Sequence, residues 1–324
     1  MAKDYFQKLK FRYHQFGGRR MLKAYWQLGI VWFVAKSIAK IILSHKPLKE
    51  FYPAVEKKID PILVGRFVPL LDSLCVKDDH QNLEHKRSDK IWFCWMQGMD
   101  KAPELVRVCY QSLQKWLKGK EIIIIDSDNY LSFIDMPSDI LDKYNKGYIP
   151  NSHYTDLIRL QLLVKYGGTW IDSTVLCTKD CYPRKVLDSD LFLFQHLVKG
   201  DNGFHGISSW FISAYSNLRD MLFQYWRDYD CLLEYYIFHL FFSMVAGKYP
   251  KEIAAMPRVS NHNPLLLALR LEEEYDGRWM QNLLSCCCFH KLNYRVSNRA
   301  KDNPDCFYNK IIGGEYEFSN SEKG

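Results

Sequence analysis

Asp156 and Arg159 form a pair whose residue types and spacing could serve in catalysis or ligand binding. They lie in the stretch SHYTDLIRLQLLVKYGG, where Leu157, Leu160 and Val164 recur at helical intervals. Residues three apart on a helix share a face, so the carboxylate and the guanidinium should lie side by side. Taken alone, such a pair is most often a surface ion pair, and the alternative is a site that binds a polar ligand.

The predicted helix is followed by two glycines and a short strand that ends on another acid. Gly167 and Gly168 let the chain leave the helix and let a ligand approach the backbone closely. Trp170 and Asp172 are two apart in the strand and should point to the same side. Many enzymes that hold a metal–diphosphate in this way use two aspartates, whereas Thr174 offers only a neutral hydroxyl.

The segments upstream predict a parallel sheet that would position these residues. Residues 91–95 (IWFCW) and 121–126 (EIIIID) are apolar strand candidates, and a helical pattern after Pro103 separates them. A strand–helix–strand unit of this kind builds a parallel sheet, whose ligands gather at the carboxyl ends of the strands. The residues of that helix predicted to face inward are Leu105, Val108, Leu113 and Leu117. Further predictions are a helix over 152–166, a strand at LFLFQ and aromatic helices over about 210–247.

The basic excess of the chain belongs to its first 50 residues. They hold 11 Lys and Arg against Asp4 and Glu50, while the whole chain has a formal charge of +7. The remainder is therefore slightly acidic and offers no general surface for nucleic acid. A hydrophobic content of 48% also excludes a disordered chain.

A helix is predicted over residues 20–44, with apolar residues at helical spacing and lysines between them. Its longest uncharged run has 12 residues, from Ala24 to Ala35, whereas a membrane span needs roughly 20. Trp26, Trp32 and the flanking basic residues favour a helix that lies on an anionic membrane surface. The alternative is a helix packed on the catalytic domain with its lysines in water.

Ten cysteines show neither the spacing of a zinc site nor that of a secreted disulfide framework. We therefore expect thiols in a reducing cytosol, with metal binding as the lesser alternative. No segment resembles a cleavable signal peptide. The predicted division is a basic membrane-proximal helical segment over 1–50, a helical segment with a charged linker over 51–88, and a catalytic domain over 89–324.

The stretch SHYTDLIRLQLLVKYGGTWIDSTVL, with IWFCWMQGMDKAPELVRVCYQSL upstream, resembles the bacterial capsular polysaccharide synthesis family of glycosyltransferases. That family is similar to mannosyltransferases and clostridial-toxin glucosyltransferases with a D-x-x-R…GG-x-[WY]-x-D pattern. The resemblance covers roughly residues 88–300. It implies an α/β fold of the GT-A type, a Rossmann-like mixed sheet flanked by helices, here with an N-terminal helical extension. It also implies retaining hexosyl transfer from a UDP- or GDP-sugar, assisted by Mn²⁺ or Mg²⁺.

The resemblance also assigns roles to single residues of the donor site. Trp92 would stack on the nucleotide base, Asp156 would bind sugar hydroxyls, and Arg159 would approach the sugar ring and the diphosphate. Gly168 and Trp170 would flank the donor. The metal would be held by Asp172 with help from Thr174 and His290, and Lys291 would neutralise the diphosphate. For His290 and Lys291 the alternative is a solvated pair on a terminal strand.

The acceptor site is less specific in sequence. The resemblance places Trp210 against a sugar face and Glu234 or His239 at acceptor hydroxyls, although a lone histidine in an aromatic helix is more often a core residue. No carboxylate is assigned as a nucleophile, which favours a front-face mechanism driven by leaving-group stabilisation.

The leading hypothesis is a cytoplasmic enzyme, peripheral on the inner face of the cell membrane, that extends a lipid-linked or growing surface polysaccharide. The second is a degenerate transferase that binds nucleotide sugars as a regulatory module, because Ser-Thr follows Asp172. A phosphohydrolase is the weakest alternative, since no second acid lies beside Asp172.

Overall fold

The computed structural model describes Tyr13 and residues 18–29, 60–77, 88–179, 189, 191–195, 197, 207–212 and 216–316. The chain divides into two compact units. The first unit draws on Met1–Leu83, Asp135–Leu160 and Tyr215–Pro250, and the second on Glu84–Ile134, Gln161–Ala214 and Lys251–Gly324. Helices and strands alternate in the second unit, so the fold is mixed α/β.

The second unit contains a mixed sheet of five strands and a separate two-stranded sheet. The strands are β1 (Lys90–Cys94), β2 (Glu121–Ile125), β3 (Thr169–Ile171), β4 (Val175–Cys177), β5 (Leu193–Gln195), β6 (Ile207–Ile212) and β7 (Phe289–Lys291). The larger sheet has the order β2-β1-β3-β6-β5. Strand β1 pairs in parallel with β2 and β3, and β6 pairs antiparallel with β3 and β5. Strand β4 pairs antiparallel with β7.

The helices are numbered in chain order through both units. Those of the first unit are α1 (Arg19–Leu28), α2 (Asp60–Lys77), α5 (Ser138–Asn145), α7 (Ser216–Asp228) and α8 (Ile237–Ala246). Those of the second unit are α3 (Glu104–Trp116), α4 (Tyr130–Phe133), α10 (His262–Arg270), α11 (Gly277–Cys286), α12 (Asn298–Asp302) and α13 (Phe307–Ile312). Helices α6 (Asn151–Tyr166) and α9 (Pro250–Ala255) include residues of both units.

The predicted strand–helix–strand unit is present as β1, α3 and β2, and the two strands are parallel. The prediction that one face of this helix points inward is confirmed, because Leu105, Val108, Leu113 and Leu117 are all buried. In β1, Ile91, Trp92 and Phe93 are all buried, as expected for a strand that has neighbours on both sides and is covered on both faces. The hydrophobic core of the second unit lies around β1, β3 and β4.

Helix α1 is packed on the protein along one face. Its buried residues, Met21, Ala24, Tyr25 and Leu28, follow helical spacing. Arg19, Lys23 and Trp26 are exposed, the last with 59% of its surface accessible. The described part of the predicted 20–44 helix therefore buries its apolar face in protein, and the rest of that prediction lies outside the described residues. None of the described helices is long and apolar enough to cross a bilayer.

One predicted boundary is wrong. Aromatic helices were expected over about 210–247, but residues 207–212 form strand β6 and the next helix begins at Ser216. The segment ISSWFI pairs with β3 on one side and β5 on the other, and this pairing overrides the weak local signal. The described cysteines, nine in number, are all free thiols.

Candidate functional site

Asp172 lies directly after β3, at its carboxyl end. Its backbone N–H donates to the carbonyl of Trp210 at 2.9 Å, and its carbonyl accepts from the N–H of Val175 at 3.0 Å, which turns the chain into β4. The indole Nε1 of Trp170 donates to Asp172 Oδ1 at 2.8 Å. The prediction that Trp170 and Asp172 point to the same side is confirmed, and the indole fixes one oxygen of the carboxylate.

Lys291 completes this cluster from the far end of the chain. Strand β7 pairs with β4 so that Lys291 lies opposite Val175, and Leu292 N–H donates to the carbonyl of Thr174 at 2.8 Å. The Lys291 ammonium donates to Asp172 Oδ2 at 2.8 Å and to Thr174 Oγ1 at 2.6 Å. The acid and the hydroxyl that were predicted to hold a metal ion thus hold an ammonium group. We call Trp170, Asp172, Thr174 and Lys291 the lysine clamp.

The clamp is partly shielded and partly exposed to solvent. The side chains of Lys291 and Asp172 are 24% and 25% exposed, and Thr174 is buried. At this depth the ion pair is less screened than a surface pair. The ammonium has three N–H donors, and its two acceptors among the described residues are the oxygens of Asp172 and Thr174. One donor therefore remains for an anionic ligand.

The expected divalent cation does not fit this arrangement as it stands. The carboxylate and hydroxyl oxygens that would ligate the ion already accept from Lys291. Two like unit charges 4 Å apart near a protein surface repel by about 4 kcal/mol, and a divalent ion doubles this repulsion. Among the described residues, no group of three His, Cys, Asp or Glu side chains could hold a metal ion. Metal dependence stays a prediction from the sequence.

His290 lies next to Lys291 but takes a different role from the one predicted. Neighbouring residues of a strand point to opposite faces, and His290 is buried while Lys291 reaches the clamp. Its Nε2 lies 3.3 Å from Thr178 Oγ1. Burial lowers the pKa of His290 to about 3, so the ring is neutral near pH 7. We therefore leave it out of the ligand-binding cluster.

The turn at the glycine pair brings Gly168 close to the backbone of β1. Gly167 and Gly168 have φ values of +68° and +84°. A Cβ atom at Gly168 would overlap the carbonyl oxygen of Lys90 in β1. Gly168 is thus required for a close approach between two strands, and its role beside the donor stays a prediction.

Trp92 is buried completely, which corrects its expected role as a stacking platform for the nucleotide base. Its indole N–H donates to the Gly167 carbonyl at 2.8 Å. Its ring packs against Phe133 and Tyr166, with centroids 5.9 and 5.6 Å away. Since neither face of the indole reaches solvent, Trp92 anchors the end of α6 to β1.

Trp210 also lies in the core, stacked on Phe194 with ring centroids 4.4 Å apart. It therefore supports the sheet instead of facing a sugar.

In the first unit, Glu234 is buried and its carboxylate accepts from the N–H of Tyr236 at 2.9 Å. His239 is half-buried and contacts the rings of Tyr236 and Phe238. An acceptor role for Glu234 and His239 stays a prediction.

Asp156 and Arg159 form a largely buried pair in the first unit. Arg159 Nη2 lies 3.2 Å from Asp156 Oδ1, and the two side chains are 6% and 14% exposed. The guanidinium carbon also lies 5.6 Å from the ring centroid of Phe238. This burial distinguishes the pair from an ordinary surface ion pair, which is worth little and is easily solvated.

His153 was missed by the sequence reasoning. It lies one turn before Asp156 on α6, with Nδ1 3.8 Å from Asp156 Oδ2. The edges of Trp226 and Tyr235 enclose the ring, with centroids 6.1 and 5.6 Å away. Neither ring nitrogen has a hydrogen-bond partner among the described residues. The sequence offered one signal, since His153 stands three residues before Asp156.

Burial, together with the positive charge of Arg159, lowers the pKa of His153 to about 4. The folded-state pKa of His153 thus lies below the unfolded value of 6.5, as it does for His290. The unfolded chain therefore takes up protons first, and the free energy of unfolding should fall as the pH decreases below about 6.5. Each histidine should contribute a slope of up to about 1.4 kcal/mol per pH unit.

Urea denaturation of the wild type and of His153→Asn over this pH range measures the slope. The variant should lose the contribution of one histidine, and His262→Asn, a change at an exposed position, is the matched substitution for comparison. Equal slopes in His153→Asn and the wild type would contradict a neutral, buried imidazole.

One of the comparisons with known proteins identifies a family. A family model described as capsular polysaccharide synthesis protein matches residues 39–311, which include the lysine clamp and the Asp156–Arg159 pair. No curated protein and no solved structure matches the chain. Because the family model spans most of the sequence, the chain belongs to the capsular polysaccharide synthesis protein family.

Proposed function

We propose that the protein is a glycosyltransferase with a GT-A-type catalytic domain, which moves a sugar from a nucleotide-sugar donor to a growing capsular saccharide. The family membership supports a role in capsule synthesis. The observation that carries the proposal is the lysine clamp, a cation with one remaining donor at the carboxyl end of a sheet strand. Ligands of open α/β sheets bind at this end, and a leaving diphosphate is the anion that such a cation suits.

In the proposed reaction, the bond between the anomeric carbon of the donor and the oxygen of the β-phosphate breaks. The bonding electron pair stays on the phosphate oxygen, where the Lys291 ammonium neutralises the growing charge. The acceptor hydroxyl oxygen forms the new bond to the anomeric carbon on the same face, and its proton passes to the departing phosphate oxygen. The products are a glycoside with retained configuration and a nucleoside diphosphate.

The buried pair in the first unit belongs to a second group of polar side chains. Asp156 presents carboxylate oxygens that accept hydrogen bonds, and the neighbouring Arg159 and neutral His153 supply polar N–H groups. Sugar hydroxyls both donate and accept, so this group of side chains could recognise their arrangement. We propose that it binds the hydroxyl groups of a sugar.

A donor screen tests the proposed function. The full-length protein is incubated with UDP- and GDP-sugars, with Mn²⁺ and with EDTA, and both its melting temperature and slow donor hydrolysis are measured. We expect one nucleotide sugar to raise the melting temperature and to be hydrolysed. If no nucleotide sugar does either under any of these conditions, the glycosyltransferase proposal is wrong.

A nucleotide-sugar-binding module without turnover is the second candidate. It is favoured by one observation, namely that both oxygens of the Asp172 carboxylate already accept hydrogen bonds within the protein. The module should be stabilised by a nucleotide sugar as the enzyme is, but it should neither hydrolyse it nor transfer the sugar. Turnover by the purified protein therefore separates the two candidates.

We also propose that the exposed face of α1 holds the protein at the anionic inner surface of the cell membrane, close to a lipid-linked acceptor. Arg19, Lys23 and Trp26 are exposed on this helix, and basic residues near such a surface contribute about 1 kcal/mol each. Replacing Arg19 and Lys23 by glutamine should therefore weaken binding to anionic vesicles by roughly 30-fold.

Vesicle sedimentation measures this effect, and vesicles of neutral lipid serve as the control. The double substitution is preferable to deletion of the N-terminal segment, because deletion would also remove Met21 and Tyr25 from the core. Unchanged binding of the double variant to anionic vesicles would contradict a membrane role for this face of α1.

A further inference from the structure

We infer that the Lys291 ammonium takes the place of the divalent cation, so that this protein binds and neutralises a nucleoside diphosphate without a metal ion. The inference rests on the proposed transfer from a nucleotide sugar and deepens it. It departs from the metal dependence that the sequence predicts for Asp172 and Thr174.

The position of the ammonium is the first observation. Lys291 Nζ lies 2.8 Å from Asp172 Oδ2 and 2.6 Å from Thr174 Oγ1, the two oxygens that would ligate a metal ion. A divalent ion at these oxygens would have to displace the ammonium and would remain close to a like charge. Since the lysine belongs to the chain, its supply at these oxygens does not depend on the metal concentration.

The state of the carboxylate is the second observation. Trp170 donates to Asp172 Oδ1, and Lys291 donates to Oδ2, so each oxygen already accepts a hydrogen bond from a fixed donor. Thr174 is buried, and its hydroxyl accepts from the same ammonium. Asp172 and Thr174 are therefore positioning residues, which aim the lysine, while the lysine contacts the ligand.

The geometry of the backbone is the third observation. The antiparallel pairing of β4 with β7 sets Lys291 opposite Val175, and the Leu292 N–H to Thr174 carbonyl bond of 2.8 Å extends this pairing up to the clamp. The ammonium is held by a strand rather than by a loop, so it needs little rearrangement when charge develops on a leaving group. Among the described residues, Nζ donates to Asp172 and Thr174, so its third N–H can donate to an oxygen of the diphosphate.

Isothermal titration of the full-length protein with UDP and with GDP tests the inference. Each titration is carried out with EDTA and with Mn²⁺ in excess. We expect one of these nucleotides to bind with an affinity that differs by less than about twofold between the two conditions, because the cation is part of the protein. Affinity that is lost in EDTA and restored by Mn²⁺ would overturn the inference and leave the proposed function standing.

Variants of the clamp give a second measurement. In EDTA, Lys291→Met should weaken nucleotide binding by at least about tenfold, since a charge-assisted hydrogen bond to the diphosphate is lost. Lys291→Arg, which keeps the charge, should retain part of the affinity. Lys310→Met is the matched control, because Lys310 is an ion-paired lysine of the same unit with a side chain 23% exposed.

The melting temperature of each variant is recorded so that misfolding is not mistaken for lost binding. If Lys291→Met does not fold, Thr174→Val is used instead, because it removes one anchor of the ammonium at nearly constant volume; it should weaken binding in EDTA by a few-fold. Wild-type affinity in a folded Lys291→Met or Thr174→Val protein would overturn the inference. If neither UDP nor GDP binds the wild type in either condition, the proposed function is wrong and the inference with it.

Discussion

Asp172→Asn should reduce sugar transfer by about 10²- to 10³-fold while the protein remains folded. The amide keeps the shape of the side chain but removes the charge that holds the Lys291 ammonium at 2.8 Å. Asparagine also presents an NH₂ group to either Lys291 or Trp170, each of which is a donor. The cation would then no longer be aimed at the leaving diphosphate.

Initial rates of transfer and of donor hydrolysis measure this effect, and the melting temperature reports on the fold. Asp230→Asn is the matched control, because Asp230 also accepts from a lysine at 2.8 Å, in the first unit. It should lower stability slightly and leave the turnover of the folded protein unaltered. Turnover by Asp172→Asn within tenfold of the wild type would contradict the assignment of this residue.

Gly168→Ala should destabilise the fold by about 3 kcal/mol or more. The residue has a φ of +84°, which alone costs a side chain about 1–2 kcal/mol. The added Cβ would also meet the carbonyl oxygen of Lys90, a backbone atom that belongs to β1 and has little freedom to move. Relief of this clash would require β1 and β3 to separate.

Chemical denaturation gives the free energy of unfolding of Gly168→Ala and of Gly119→Ala. The difference between the two variants measures the cost of the clash. Gly119 has a φ of +87° with nothing near the position of a Cβ, so its alanine variant should show the backbone contribution alone. Equal destabilisation of the two variants would show that Gly168 is required only for its backbone angle. A nearly neutral Gly168→Ala would contradict the close packing of the turn on β1.

Local patterns in the sequence were sufficient to predict the central elements. The parallel pairing of β1 with β2, the helix between them, and the turn at Gly167 and Gly168 all follow from residue periodicity and from glycine. The alternation of a strand also predicted that Trp170 and Asp172 would share a side. These features depend on neighbours in the chain or on strand–helix–strand units of regular length, which is why a single sequence specifies them.

The contacts that determine the chemistry of the clamp could not be predicted from local sequence patterns. The sequence resemblance associated Lys291 with the diphosphate, but its bonds to Asp172 and Thr174 join residues 119 and 117 positions apart. Only the pairing of β4 with β7 determines them. Trp92 was misassigned for a related reason, since a tryptophan at a strand end serves equally as a stacking platform or as a core residue until its burial is known.

The pairing of β4 with β7 also has a consequence for the order in which the protein matures. The ribosome adds Asp172 and Thr174 to the chain more than a hundred residues before Lys291, which donates to both side chains. Until strand β7 pairs with β4, the nascent chain carries a carboxylate with no counter-charge from this lysine. A chain truncated ahead of Phe289 would keep the whole D-x-x-R…GG-x-W-x-D signature and still lack its built-in cation.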